Sequence, residues 1–239
     1  MKSSVLGLAF FLALAAPAAG AGESVVTVTA DDGTRLSYLL TVQSAAPRYV
    51  ILGFPGGSGL FNARVEDGEI RFAFGGNFVV RTRNLVVDDE FAMALTDATS
   101  VVERMAPIVA DLHRRFPAAR IYLISTSNGT IDSANLSLTL GGIGGAIHTS
   151  SMARLAAVSF DKSTVRQLFV HHLNDGCRAT SYGAAKYVTD KYHIKLITMT
   201  GGHGTGDPCE PFGYHGYADI EPETIAAIKQ WVREDGAPR

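Results

Sequence analysis

The chain has 239 residues, enough for one domain with a substantial core and too few for two comfortable ones. Hydrophobic residues make up 46% and charged residues 18%, a globular rather than a disordered composition. The formal net charge is −2, from 21 basic and 23 acidic side chains with no long basic run, which argues against nucleic acid or an anionic membrane surface as the main partner.

The N-terminus reads as an export signal. Lys2 gives a positive start, residues 5–16 form a nearly unbroken apolar run, and Ala19-Gly20-Ala21 offers a small-x-small cleavage pattern. A run of about a dozen apolar residues is short of the ~20 that cross a bilayer as a helix. Residues 1–21 are therefore expected to be a signal peptide rather than a retained anchor, and residues 22–239 a single mature domain, periplasmic or secreted, with no stable membrane insertion once the signal is removed. Export places Cys177 and Cys209, the chain's 2 cysteines, in an oxidising compartment, where a lone pair is expected to be bridged.

Residues 25–29 read as a strand, Asp31-Asp32-Gly33 as a turn and residues 36–42 as the hairpin partner. YVILGF, residues 49–54, is continuously apolar, which suits a strand buried on both faces of a parallel sheet. Residues 60–86 read as loop with short strand pieces, and Arg81 and Arg83 within them as solvated side chains. Residues 91–95 form the next apolar run. Residues 99–116 have helical spacing, with Pro107 predicting a kink or a later start. IYLI (121–124), 145–148, QLFVH (167–171) and IKLITM (194–199) read as further strands, and 179–191 and 221–232 as helices. Strands alternating with helices predict an α/β fold with a largely parallel sheet, entered by an antiparallel hairpin.

The segment IYLISTSNGT, residues 121–130, carries the strongest chemical signal. A buried strand runs into a tight turn with Ser127 at its centre, and a helix follows. Such a turn exposes the hydroxyl and demands small residues two positions before and after it. Ser125 and Gly129 meet that demand, although the common form of the motif, Gly-x-Ser-x-Gly, has Gly where this chain has Ser125. The competing reading is an ordinary strand-to-helix turn with a capping serine. The backbone N–H of Asn128 would face a developing oxyanion. A second donor is expected from the loop after YVILGF, with Gly56, Gly57 and Ser58 as candidates. That loop lacks the Lys-Ser/Thr of a P-loop and the spacing of a dinucleotide-binding loop.

Ser127, then Asp175, then His215, each after a predicted strand, resembles the α/β-hydrolase order of nucleophile, acid and base. The resemblance covers nearly the whole mature chain. It implies the α/β-hydrolase fold, with a mostly parallel central sheet and helices on both faces, and a triad mechanism that needs no cofactor or metal. Asp175, just past QLFVH, fits the acid better than Asp161 or Asp190. The base is His215 or His203. A Cys177–Cys209 bridge would tie the acid loop to the loop carrying His215, which favours His215. His148, His171 and His172 match no standard metal-ligand spacing and read as core or rim residues. The short interval 149–166 leaves no room for a large cap domain, so an open site and a small-molecule acyl substrate with a small or medium acyl group are expected. A peptidase or amidase, or a silent binding protein on the same fold, would share these motifs.

Overall fold

The apolar runs become strands because parallel pairing buries both of their faces. A computed structural model describes residues 22–204 and 206–234; the predicted signal segment lies outside the described residues. The elements run β1 (Gly22–Thr29), β2 (Arg35–Val42), β3 (Tyr49–Phe54), β4 (Arg64–Glu66), β5 (Glu69–Arg71), α1 (Phe78–Arg81), α2 (Arg83–Val86), β6 (Phe91–Thr96), α3 (Val102–Arg115) and β7 (Arg120–Ser127). They continue with α4 (Gly129–Thr139), β8 (Gly145–Ser151), β9 (Arg166–His172), α5 (Tyr182–Tyr192), β10 (Lys195–Met199) and α6 (Glu221–Glu234). An 8-stranded sheet has the order β1-β2-β6-β3-β7-β8-β9-β10. β2 pairs antiparallel with both of its neighbours, and every pairing from β6 to β10 is parallel.

Side chains of the central strands alternate between two cores. Tyr49, Ile51, Phe91, Met93, Tyr122 and Ile124 join Trp231 of α6 on one face. Val50, Leu52, Ala92, Ala94, Ile121 and Leu123 join Met105 and Leu112 of α3 and Leu136 of α4 on the other. A third cluster seats Ala134 of α4 and Val188 of α5 against Phe169 of β9. With both faces covered, the C-terminal edge of the parallel strands is where loops gather and where α/β sheets carry their sites.

Several expectations need correction. Residues 60–86 hold short strand pieces as expected, β4 and β5 paired as a small separate hairpin, but follow them with two short helices, α1 and α2, instead of loop. The side chain of Asn77 caps α1 by accepting the N–H of Val79 at 3.2 Å. Arg81 and Arg83 are not solvated; their side chains are only 15% and 17% exposed. Arg81 pairs with Glu221 at 2.8 Å and Arg83 with Glu23 at 2.6 Å, partners so distant in sequence that local pattern cannot reveal them. α3 starts at Val102 rather than at residue 99, and Pro107 stays inside it. α5 starts at Tyr182 rather than at residue 179, because the preceding residues turn with Thr180 N–H donating to Cys177 O at 3.0 Å. Between β8 and β9 the chain forms only short 3-10 turns at Ala153–Ala157 and Phe160–Lys162, so no cap domain is inserted there.

Candidate active site

Ser127 ends β7 with φ 51°, in the left-handed region, and the pairing register with β8 shifts between Thr126 and Ser127. Its neighbours hold the chain there. The Thr130 hydroxyl donates to Ser127 O at 2.7 Å and accepts the N–H of Met152 at 3.1 Å. Gly129 is packed so closely on the Pro55 carbonyl that a Cβ would collide with it. Ser125, the departure from the common motif, is fully buried and shares a hydrogen bond with the Ser133 hydroxyl of α4.

The loop after β3 lies over this turn. A Cβ on Gly56 would sit 2.9 Å from Ser127 Cβ, so only glycine allows the approach. The Asn128 side chain donates to Gly57 O at 2.9 Å and accepts from Arg154 at 2.6 Å, fastening loop to helix. Ser58 is exposed on the far part of the loop.

Asp175 follows β9 and is buried. Its Oδ1 accepts the N–H of Cys177 at 3.0 Å. Its Oδ2 accepts from the Thr180 hydroxyl at 3.0 Å, from His215 Nδ1 at 3.1 Å and from His171 Nε2 at 3.2 Å. Burial alone would raise the pKa of Asp175, but the hydrogen bonds from His171 and His215, the His215 charge and the Cys177 N–H outweigh it and hold the carboxyl well below the usual carboxylate range. His215 is also buried, and its Nδ1 lies 3.2 Å from the Thr180 hydroxyl. Nε2 is left as the ring nitrogen available to a further partner. His203 is exposed and paired with the exposed Asp219, apart from the Asp175 cluster.

The loop carrying His215 is anchored to the strand ends beside Ser127. Ser151 is the β8 partner of Ser127, and the hydroxyl of the adjacent Ser150 donates to His215 O at 2.6 Å. The buried Tyr217 hydroxyl donates to Val170 O at 2.7 Å and accepts the Ser150 N–H at 2.9 Å. Arg81 donates to Gly216 O at 2.6 Å. Cys177 and Cys209 form the expected disulfide, with Cα atoms 4.6 Å apart, linking the loop that carries Asp175 to the loop that leads to His215. His171, Thr180, Ser150 and Tyr217 are the site residues that sequence reasoning missed. Their residue types carry no pattern, and only the tertiary fold reveals their partners.

The other histidines have defined structural partners. His172 accepts the Asn174 N–H at Nδ1 and donates from Nε2 to Gly201 O at 2.9 Å, with its ring stacked on Tyr214. His148 lies fully buried behind the turn, with Nε2 donating to Gln167 Oε1 at 2.8 Å and Nδ1 3.1 Å from the Ser133 hydroxyl. Burial lowers its pKa to about 4, against the opposing effect of the Gln167 hydrogen bond. Among the described residues no group of His, Cys, Asp and Glu side chains is arranged to hold a metal ion, and no helix is long and apolar enough to cross a membrane.

The sheet order, the single reversed strand near its edge and the left-handed serine between β7 and α4 define the α/β-hydrolase fold, here without a large cap. The structure is similar to an α/β serine hydrolase without a lid from Xanthomonas campestris, at 13% identity over 90% of this chain and 98% of that one, with a TM-score of 0.60. It is also similar to an α/β serine hydrolase homologue from Coxiella burnetii (12% identity, 90% and 98% covered, TM-score 0.61) and to the esterase domain of a Rhodothermus marinus protein (11%, 89% and 98%, 0.62). No family model and no curated protein matches the sequence.

Two outcomes follow from these contacts. Tyr217→Phe leaves the Ser150 N–H and Val170 O without their buried partner, and should cost about 1–3 kcal/mol in urea denaturation at unchanged m. For His148, the folded pKa lies below the unfolded value of about 6.5. The unfolded chain therefore takes up a proton first as pH falls, and stability is lost between about pH 6.5 and pH 4, by on the order of 3 kcal/mol. His148→Gln should flatten that part of the denaturation-against-pH curve, and an unchanged slope would mean that His148 does not titrate this way.

Proposed function

We propose that the mature chain is an exported serine hydrolase that cleaves a carboxylic ester through Ser127, His215 and Asp175. The observation that carries this reading is the His215 Nδ1–Asp175 hydrogen bond, which spares Nε2, at the strand edge where Ser127 stands in a left-handed turn. The disulfide supports export, because such bridges persist in oxidising compartments. The likeness to serine hydrolases and an esterase supports the reaction class.

In this reading His215 Nε2 takes the Ser127 proton as Oγ adds to the acyl carbon. The ionised Asp175 fixes the imidazole tautomer and stabilises its cation. The N–H of Asn128 and an N–H of the loop bearing Gly56, Gly57 and Ser58 receive the oxyanion. The tetrahedral intermediate collapses, the alkoxide leaves with the proton from His215, and the acyl chain remains on Oγ. A water, deprotonated by the same imidazole, then adds to the acyl-enzyme and releases the acid. The absence of an inserted cap after β8 leaves the site open, which suits a small or medium acyl group.

A fluorophosphonate probe and p-nitrophenyl acetate and butyrate test this reading, with the matching anilides to compare amides. Wild type should label and turn over esters. Ser127→Ala should do neither, and Asp175→Asn should lower kcat by roughly 10⁴. Folded wild type that neither labels nor hydrolyses would leave a binding protein on the same fold.

A further inference from the structure

Among the described residues, one half of the Asn77 carboxamide is engaged within the protein and the other is not. Its Oδ1 caps α1 by accepting the Val79 N–H, which fixes which half of the carboxamide faces which way. The nitrogen half lies next to Gly56, 3.5 Å from where a Cβ on that residue would stand. That same Cβ would lie 2.9 Å from Ser127 Cβ and 3.0 Å from Thr126 O, so the Asn77 amide borders the tight contact between Gly56 and the Ser127 turn. Asn77 is half-buried, its backbone N–H is held by Phe74 O at 2.8 Å, and among the described residues Nδ2 donates no hydrogen bond. Capping needs only the oxygen; serine, threonine or aspartate would cap as well. What asparagine adds is an uncharged N–H donor beside Gly56, at the edge of the contact with the proposed nucleophile's turn.

We infer that Asn77 is a further donor to the oxyanion: its side-chain N–H hydrogen-bonds the carbonyl oxygen of the substrate as Ser127 adds to the carbon. The inference rests on the serine-hydrolase reading. The role is that of a catalytic residue, touching the reacting oxygen, and it strengthens as charge builds there, so it belongs to kcat more than to KM.

Asn77→Ser and Asn77→Asp both keep a cap acceptor; the aspartate has no donor, and the serine hydroxyl stays at the capping position, short of where the amide nitrogen reaches. Each is compared with wild type in ester kcat and KM, in the rate of fluorophosphonate labelling and in thermal midpoint. The expected result is kcat lower by about 100-fold in Asn77→Ser, with KM nearly unchanged, a parallel fall in labelling rate and a midpoint within a few degrees of wild type. Asn77→Asp should be slower still, because its carboxylate repels the oxyanion. Wild-type kcat in either folded variant overturns the inference and leaves the triad standing. Failure of both variants to fold would make the amide a structural element only and also overturn it. If wild type itself shows no labelling and no turnover, the donor role falls together with the hydrolase reading.

Discussion

A left-handed φ costs a non-glycine residue roughly 1–3 kcal/mol and persists only where the surroundings over-determine it. Ser127 is such a residue, and much of the site is the machinery that holds it. The parallel strand β7 delivers the chain to the sheet edge, and α4 must begin at once for the turn to be this tight. That requires Gly129 to press on the Pro55 carbonyl and Gly56 to come within reach of Ser127 Cβ. The loop after β3 and the turn after β7 are therefore one packed unit, and the Asn128 side chain closes it through Gly57 O. Relaxing the turn would undo the packing of the loop that carries the proposed oxyanion donors.

The long connection from β10 to α6 presents the opposite problem, because it contributes little regular structure of its own. It is fixed by links of different physical kinds. The disulfide spans 32 residues and, in the chain-entropy model, removes freedom from the unfolded chain worth roughly 3–4 kcal/mol. The Tyr217 hydroxyl joins the connection to β8 and β9 by buried hydrogen bonds. Arg81 reaches Gly216 O while paired with Glu221 at the start of α6. These links act at different points along the connection, and together they hold the His215 imidazole toward Asp175.

The sequence made legible what depends on local pattern. Doubly buried strands announce themselves as YVILGF and IYLI, and the turn at Ser127 as a small-residue cluster between a strand and a helix. The pairing of Cys177 with Cys209 followed from the count and the expected compartment. What stayed hidden was set by partners far along the chain. Arg81 and Arg83 looked like solvated charges because Glu221 and Glu23 are distant in sequence. Thr180 read as part of a helix, but the carboxylate of Asp175 draws it into a turn. Residues 60–86 lack periodicity because their elements are too short to show any. Ser125 looked like a defect in the motif; the Ser133 hydroxyl, a turn further on in α4, gives it a partner and makes the substitution tolerable.

The buried histidines show how the site separates charge from neutrality. His148 is surrounded by uncharged partners, and burial keeps it neutral. Asp175 is equally enclosed, yet several donors converge on its two oxygens, so it remains ionised. His171 Nε2 lies near both Thr180 O and Asp175 Oδ2, two acceptors, so that nitrogen carries the proton, while its Nδ1 is buried with no hydrogen-bond partner among the described residues. A carboxylate stabilised this far is a weak base. In the proposed mechanism that weakness matters: when His215 takes the Ser127 proton, the imidazolium keeps its Nδ1 proton instead of passing it to Asp175, and returns the new one to the leaving group. In that proposed mechanism, the donors around Asp175 keep the proton on the imidazole, which then returns it to the leaving group.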